Sequence, residues 1–374
     1  MNETILQFGA GRFLRGFVDR FVHEANEEGQ NIGRIVVVQS TPGKRAELLN
    51  AHPEGYPVVN RGYEAGNVID QESRVSSITR ALVAANEWDK VLEVARSPEL
   101  RFLVSNATEA GYVLNDDEVK PGEGTPTELP AKFADLLWNR FQAGAAPLVC
   151  LPCELIPDNA TRLRELVLTQ AQRWNLSDDF QKWVTEECQW LNNLVDCIIS
   201  DLPADDPRVV ANPLAIQIEP YALFAIQKPE GREVDFLNHK AVKIVDDLDP
   251  YFLRKVRILN GLHTAMVAKF LGSHLETVQE VMKDSEAWGW VRDLLYEEIV
   301  PSLASHTKGV AEFAEETLDR FRNPFLSHRL SVIRLNHEHK VPVRLQPTHD
   351  EYVRLYGRIP IRLAEAIQRE LPKE

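Results

Sequence analysis

The sequence of 374 residues contains only four cysteines and has no long apolar run. Four cysteines are too few for a disulfide-stapled scaffold, so we expect a protein of a reducing compartment, the cytoplasm. Because no run of 18 or more apolar residues occurs, the sequence predicts no membrane-spanning helix. The segment after Met1 lacks the positive and apolar regions of a secretory signal. Together these absences argue against the secreted disulfide-rich and membrane-spanning classes.

Basic residues are also scarce relative to acidic ones. There are 42 Lys and Arg against 56 Asp and Glu, which gives a formal net charge of −14. Nucleic acids and anionic membranes bind basic faces, so neither partner is expected. The hydrophobic share of 44% is typical of a globular protein, and the length suits two domains. A local basic pocket remains compatible with these totals.

The order of predicted elements indicates an α/β fold. A short apolar strand over 4–8, a glycine turn, an amphipathic helix and an apolar strand over 34–38 form a βαβ unit. Strands and helices then alternate, which predicts a Rossmann-like doubly wound sheet domain over residues 1–250. Strands almost vanish after residue 251. We therefore predict a mostly helical C-terminal domain over 251–374, which includes a helix over 253–271.

The first glycine turn has the pattern of a dinucleotide-binding turn. A helix N-terminus offers unpaired N–H groups to a diphosphate. Gly9 would make the tight turn and Gly11 would let the backbone approach the diphosphate, whereas Leu14 replaces the usual third glycine. The alternative is a purely structural turn. The predicted cofactor-binding residues here are Phe8, Gly9, Ala10, Gly11, Arg12, Phe13 and Leu14.

The second strand does not settle which dinucleotide binds. The acidic residue that holds the ribose hydroxyls of NAD is missing after this strand. Lys44 and Arg45 follow nearby and could contact a 2′-phosphate. We predict NAD as the cofactor and leave NADP open.

A second informative segment carries Lys255, Asn260 and His263 on one predicted helix. At about 100° per residue, Asn260 lies roughly 140° and His263 roughly 80° around the axis from Lys255. A desolvated lysine can act as a general base, and an asparagine can donate to an oxygen where negative charge develops. The histidine can orient the same oxygen. The alternative is a structural Asn-His pair beside a surface lysine.

The stretch 320–344 is locally basic, with six basic residues and Glu338 as its single acid. It could be a solvated helix surface or an anion pocket for a sugar carboxylate or phosphate, since guanidinium groups bind such anions in bidentate fashion. The six residues are Arg320, Arg322, Arg329, Arg334, Lys340 and Arg344.

Two further patterns suggest metal binding only weakly, and we predict no metal. Cys150 and Cys153 have zinc-like spacing but no second pair nearby. His337 and His339 are two positions apart, so they would not face one way on a helix. We therefore predict a polar loop or turn over 337–339.

Five motifs together resemble the mannitol dehydrogenase family, the polyol-specific long-chain dehydrogenases that need no metal. The similarity extends from about residue 4 to about residue 370. It implies reversible hydride transfer between a nicotinamide cofactor and a secondary hydroxyl of an open-chain sugar acid. The motifs occupy residues 8–15, 105–111, 152–155, 255–264 and 320–324.

The resemblance implies roles for individual residues. Lys255 would be the general acid/base, while Asn260 and His263 would hold the reacting oxygen. Leu155 stands where many relatives have a second oxyanion donor, and Asn159 is a candidate replacement. Asn106 and Glu109 would contact the cofactor. The implied substrate-binding residues are Glu154, Arg322, Asn323, Arg329 and Lys340.

Alternative functions remain open from the sequence. The substrate could be a neutral polyol or a sugar phosphate instead of a sugar acid. A protein of another class, a non-catalytic nucleotide-binding sensor, would also need the glycine turn. We expect a monomer or a small homo-oligomer.

Overall fold

A computed structural model describes residues 1–64, 66–107 and 111–369. The chain divides into two compact units. Unit 1 contains Met1–Val59, Glu72–Ile218 and Ala222–Asp247. Unit 2 contains Asn60–Gln71, Glu219–Tyr221 and the chain from Leu248 onward. Two short segments that precede residue 222 thus belong to the same unit as the helical C-terminal part.

The strands occupy mainly the first 245 residues. In chain order they are β1 (Glu3–Phe8), β2 (Arg34–Gln39), β3 (Tyr56–Glu64), β4 (Asn67–Val75), β5 (Ile78–Val83), β6 (Phe102–Ser105), β7 (Val149–Pro152), β8 (Gln189–Trp190), β9 (Asn193–Asp196), β10 (Ile199–Asp201), β11 (Ile216–Ile218), β12 (Leu223–Gln227) and β13 (Val242–Val245).

The helices occur throughout the chain and dominate unit 2. In chain order they are α1 (Arg12–Gly16), α2 (Val18–Glu27), α3 (Arg45–Ala51), α4 (Ala84–Arg96), α5 (Leu129–Gln142), α6 (Asn159–Arg173), α7 (Asp178–Glu186), α8 (Pro207–Ala211), α9 (Asp249–Arg254), α10 (Gly261–Phe270), α11 (Val278–Lys283), α12 (Ser285–Asp293), α13 (Val300–Leu303), α14 (Val310–Phe321), α15 (Leu330–Ile333), α16 (His337–Arg344), α17 (Gln346–Tyr356) and α18 (Ile361–Gln368). Two further segments, Lys255–Asn260 and Leu294–Ile299, are π-helical.

Unit 1 is built on a six-stranded parallel sheet of order β5-β2-β1-β6-β7-β8. Successive residues of β1 belong to different cores: Ile5 packs into one apolar cluster, and Leu6 and Phe8 pack into another. Successive side chains of a strand point to opposite faces, so both faces of this strand are covered. The predicted fold class, a Rossmann-like sheet followed by a helical region, is confirmed.

The strand order reverses between β1 and β6, which pair with each other at the centre of the sheet. In open α/β sheets, ligands bind outside the carboxyl ends of the strands at this switch point. Phe8 pairs with Val38 of β2 and with Ser105 of β6. The ends of these three strands therefore meet beside the glycine turn.

Two smaller sheets complete the strand content. One has the order β10-β11-β3-β4 and the other the order β13-β12-β9. β4 is hard to predict from its residues, because most of its side chains are exposed and lack the alternation of a half-buried strand. Among the described residues, no helix is long and apolar enough to cross a membrane.

The helices of unit 2 enclose a third apolar core, which includes Leu262, Met266 and Leu295. One sequence-based prediction was wrong in this unit. The segment 337–339 is not a loop, because His337 begins α16 and its side chain is buried. The predicted helix over 253–271 is present as one continuous helical stretch, in which Lys255–Asn260 is π-helical between α9 and α10.

Candidate active site

Gly9 and Gly11 shape the turn between β1 and α1. Gly9 has φ +130°, and its N–H donates to the Val38 carbonyl at 3.1 Å. A Cβ on Gly9 would lie 3.1 Å from Leu14 Cδ1, whereas a Cβ on Gly11 would meet no described atom within 4 Å. Leu14 thus packs under the turn, and open space lies above Gly11. A diphosphate needs this combination of tight turn and free approach to the backbone.

The other predicted residues of the turn divide between core and surface. Phe8 is buried, with its ring centroid 5.3 Å from that of Phe133. Ala10 is also buried, while Phe13 is partly buried and stacks on Phe17 at 5.0 Å. Arg12 is exposed and pairs with Asp201 at 2.6 Å. Phe8 and Leu14 therefore position the turn from below.

Asn106 ties three strand ends together. Its backbone N–H donates to the Phe8 carbonyl at 3.1 Å, and its Nδ2 donates to the Cys153 carbonyl at 2.7 Å. This placement at the switch point fits the predicted contact with a cofactor. The other predicted cofactor residue of this loop, Glu109, lies outside the described residues.

Glu154 supports the same edge of the sheet from beneath. It is 2% exposed, its Oε1 accepts from the Ala107 N–H at 2.8 Å, and its Oε2 accepts from the Tyr112 hydroxyl at 3.1 Å. Burial raises the pKa of Glu154. These contacts give the carboxyl group a positioning role that the sequence did not reveal, and its predicted contact with substrate stays a prediction.

Asn159, the candidate replacement for a missing oxyanion donor, is fully buried. Its Nδ2 donates to the Pro152 carbonyl at 2.8 Å and to the Glu154 carbonyl at 3.1 Å. Both contacts lie inside unit 1, so the side chain holds the turn after β7 in place and is not available as a donor to substrate.

The predicted catalytic residues lie on one continuous helical stretch. Lys255 and Asn260 are the first and last residues of the π-helical segment, and His263 follows in the first turn of α10. In a π-helix, residues five positions apart are related by one hydrogen-bonded turn, so Lys255 and Asn260 share a face. Such segments are frequent at functional sites. The angles expected for an unbroken α-helix therefore do not apply here.

His263 is the buried member of this group, with 6% exposure. Its ring lies 4.5 Å from that of Phe321 and 4.7 Å from that of His328. Its Nε2 has no hydrogen-bond partner in the part of the chain that the structure describes. Burial, helped by the nearby charges of Arg320 and Lys340, lowers the pKa of His263 well below its usual value. In a neutral imidazole, Nε2 can donate or accept one hydrogen bond with a ligand hydroxyl, depending on the tautomer.

The basic stretch does not form one solvated face. Arg320 is buried and pairs with Glu219 at 2.8 Å. Arg344 Nη1 donates to Thr264 Oγ1 of α10 at 3.3 Å. Lys340 Nζ donates to the Ile333 carbonyl at 2.7 Å, and burial lowers the pKa of Lys340. Arg320 is therefore part of the interior of unit 2, whereas Lys340 and Arg344 are half-buried.

The remaining predicted substrate residues differ in exposure. Arg322 lies over the Trp288 ring at 4.5 Å. Arg329 has a side chain that is 61% exposed and lies 3.9 Å from Glu276. Asn323 is 2% exposed, donates to the Arg61 carbonyl at 2.9 Å and accepts from the Phe325 N–H at 3.0 Å. These contacts indicate a structural role for Asn323, whereas Arg329 is accessible to an anion.

Metal-ligand side chains do not cluster in the described ranges, where no group of three or more His, Cys, Asp and Glu could hold an ion. Cys150 and Cys153 are buried thiols, and burial raises the pKa of each well above the usual value. Their position at the end of β7 accounts for their spacing as part of the core.

Comparisons with known sequences link most of the chain to one family. The model of the mannitol dehydrogenase Rossmann domain matches residues 3–235, and that of the mannitol dehydrogenase C-terminal domain matches 247–354. Altronate oxidoreductase of Halalkalibacterium halodurans is 37% identical over 373 residues, 96% of this chain and 73% of the relative. The Bacillus subtilis altronate oxidoreductase is 36% identical over 96% of this chain and 77% of its own length.

Solved structures share the fold. A substrate-free D-sorbitol dehydrogenase superposes with a TM-score of 0.83 at 21% identity, over 98% of this chain and 79% of that chain. Pseudomonas fluorescens mannitol 2-dehydrogenase, in a ternary complex with NAD and D-mannitol, gives a TM-score of 0.76 at 20% identity. That match covers 98% of this chain and 78% of the neighbour. At these identities the likeness concerns the architecture.

Proposed function

Because this chain belongs to the mannitol dehydrogenase family, we propose that it reduces the ketone of an open-chain hexuronate, tagaturonate, to altronate with a nicotinamide cofactor, and that it also catalyses the reverse oxidation. The observation that carries this proposal is the similarity to altronate oxidoreductases, which extends over 96% of the chain. The group of Lys255, Asn260 and His263 on one helical stretch supports it.

The cofactor fits the strand ends of unit 1. The glycine turn offers space above Gly11, and Asn106 lies at the switch point where dinucleotides bind. When bound, the nicotinamide supplies the acceptor or donor of the hydride. The residues proposed to hold it are the backbone of 9–14 and Asn106.

Lys255 is the proposed proton carrier. In the oxidation direction the neutral amine of Lys255 removes the hydroxyl proton of altronate as the hydride leaves the carbon that bears this hydroxyl. In reduction the ammonium group of Lys255 returns the proton to the new alkoxide. Asn260 donates its amide hydrogen to the reacting oxygen, where negative charge develops. His263, held neutral by burial, offers Nε2 for a second hydrogen bond to that oxygen.

We propose that a cation of unit 2 binds the carboxylate of the substrate. Arg329 is the most accessible of the predicted candidates, and a guanidinium group binds a carboxylate with paired hydrogen bonds. Arg322 and Lys340 are proposed to add positive charge around it. A neutral polyol substrate would not require these cations.

The substrate class is tested by a panel of altronate, mannonate, mannitol, arabinitol and mannitol 1-phosphate, each with NAD and NADP. We expect altronate to give the highest kcat/KM. Turnover of neutral polyols alone would eliminate the sugar-acid proposal and favour a polyol dehydrogenase. Binding of cofactor without turnover of any member would favour a nucleotide sensor.

The buried free thiols Cys150, Cys153 and Cys188 support a cytoplasmic location.

A further inference from the structure

Gln7 is a polar side chain inside an apolar core. It is the last but one residue of β1, and its side chain is fully buried. Side chains two positions apart on a strand point to the same face, so Gln7 lies on the face where Ile5 packs into an apolar cluster. A buried amide is unfavourable unless it makes hydrogen bonds. The contacts of this amide therefore indicate what it does.

The Gln7 amide fixes the direction of one peptide group in the glycine turn. Its Nε2 donates to the Gly9 carbonyl at 3.1 Å, while the Gly9 N–H donates to the Val38 carbonyl at 3.1 Å. The peptide group that joins Gly9 to Ala10 is planar and trans, so the Ala10 N–H points away from Gln7. An anion at such a turn accepts hydrogen bonds from backbone N–H groups.

Asp19 in α2 supports the Gln7 amide from a second side. Burial raises the pKa of Asp19, and the Gln7 amide opposes this rise more than any other group, followed by the charge of Arg15. The Tyr56 hydroxyl donates to Asp19 Oδ2 at 3.3 Å and to the Arg15 carbonyl at 3.0 Å. These contacts form a buried polar network between β1, α1, α2 and β3, and Gln7 connects it to Gly9.

We propose that Gln7 is a positioning residue for cofactor binding, which holds the Gly9 carbonyl toward the core so that the Ala10 N–H faces the diphosphate of the cofactor. The inference rests on the proposed hydride-transfer function. Because its side chain is fully buried, Gln7 acts through the turn and does not touch the cofactor. Its Oε1 has no hydrogen-bond partner among the described residues, so stability alone does not account for an amide at this position.

The test measures the binding of ADP-ribose, which carries the diphosphate, to the full chain by calorimetry. Gln7→Leu keeps a side chain of similar volume in the core and removes the donor. We expect its Kd for ADP-ribose and its KM for the dinucleotide to rise at least tenfold, while kcat at saturating cofactor stays within about threefold of the wild type. Gln172→Leu, an exposed change on α6, is the matched control and should alter none of these values.

Gln7→Glu separates the loss of the donor from a change in packing. An ionised carboxylate cannot donate to the Gly9 carbonyl, whereas the protonated acid can. Burial and the nearby Asp19 carboxyl favour the protonated form of this variant. Its affinity for ADP-ribose should therefore lie within about threefold of the wild type at pH 6 and be at least tenfold weaker at pH 8.5. Gln7→Leu should show a similar loss at both pH values.

Three results would overturn the inference. Affinities of both Gln7 variants within twofold of the wild type at pH 8.5 would show that the amide does not position the turn, and would leave the proposed function intact. A weaker affinity that follows a lower unfolding free energy in urea, with no recovery of Gln7→Glu at pH 6, would show a purely structural role. Failure of the wild type to bind ADP-ribose would overturn the proposed function and the inference with it.

Discussion

Arg320 and Glu219 form a buried bidentate ion pair in unit 2. Arg320 Nε lies 2.9 Å from Glu219 Oε2 and its Nη2 lies 2.8 Å from Oε1, with side chains only 3% and 1% exposed. The guanidinium also stacks over the Tyr221 ring at 4.3 Å. The pair therefore fastens the segment Glu219–Tyr221 to α14.

Removing one partner of this pair should be strongly destabilising. Arg320→Met leaves the Glu219 carboxylate buried without its counter-charge, which typically costs about 3–5 kcal/mol. Chemical denaturation of the variant should show a free energy of unfolding reduced by about that amount.

The double variant Arg320→Met with Glu219→Gln is the control for this prediction. It removes the uncompensated charge and should recover a measurable part of the lost stability. If Arg320→Met alone costs less than about 1 kcal/mol, or the second change brings no recovery, the pair does not stabilise the unit as its geometry indicates.

The proposed proton carrier is tested by Lys255→Met, which keeps the volume of the side chain and removes its amine. General acid/base catalysis typically contributes about 10²–10⁴-fold, so kcat should fall by at least a hundredfold while cofactor affinity stays unchanged. Lys269→Met, on α10 of the same helical stretch, should keep kcat within about twofold. Near-normal turnover of the Lys255 variant would exclude its proposed role.

His263 Nε2, which has no hydrogen-bond partner among the described residues, predicts different losses of activity for two substitutions. His263→Gln keeps a donor near the position of Nε2, whereas His263→Ala removes it. The loss of one hydrogen bond to the reacting oxygen is worth about 1–3 kcal/mol, so the alanine variant should lose roughly 5–150-fold in kcat/KM and the glutamine variant clearly less. Steady-state kinetics with equal losses for both variants would contradict hydrogen bonding through Nε2.

The ionisation of His263 should not contribute to the pH dependence of kcat/KM. Because burial lowers the pKa of His263 well below its usual value, the ring is already neutral where an ordinary histidine titrates, and His263→Gln should abolish no step in kcat/KM in that pH range. A step near pH 6.5 that is present in the wild type and lost in the variant would show that His263 titrates as an ordinary histidine.

The sequence predicted those parts of the molecule that local patterns specify. β1 and β2 are short apolar strands around a glycine turn, and their spacing is enough to indicate a parallel sheet. Lys255, Asn260 and His263 lie within nine positions of one another, so helical periodicity alone could bring them together. The family motifs then assigned their roles.

The parts that the sequence did not predict depend on distant partners. Arg320 looks like one of six surface cations until Glu219, 101 positions earlier, is seen to pair with it. The role of Asn323 depends on the carbonyl of Arg61, which is 262 positions away. The π-helical segment has no recognised sequence signal, because its residues suit an α-helix equally well. The contacts of Arg320 and Asn323 join residues far apart in the chain, so they produce no local periodicity from which they could be predicted.

Asp19 in α2 is a fully buried carboxyl group. The Tyr56 hydroxyl donates to Asp19 Oδ2 at 3.3 Å, and burial raises the pKa of Asp19 to about 7 from its usual value of 3.8. The folded state therefore holds this proton over a pH range in which the unfolded chain has lost it. Stability is greatest below about pH 4 for this group and declines as the pH rises to about 7.

Asp19→Asn should remove that decline, because an amide cannot ionise. At about 1.4 kcal/mol per pKa unit, the raised pKa corresponds to about 4 kcal/mol between pH 4 and 8, so the variant should have a flatter profile of unfolding free energy and exceed the wild type in stability at pH 8. Urea denaturation at several pH values measures this. Asp89→Asn, an exposed change in α4, is the control and should keep the wild-type slope. Parallel profiles for Asp19→Asn and the wild type would mean that Asp19 stays ionised in the folded protein, with its charge compensated by Arg15.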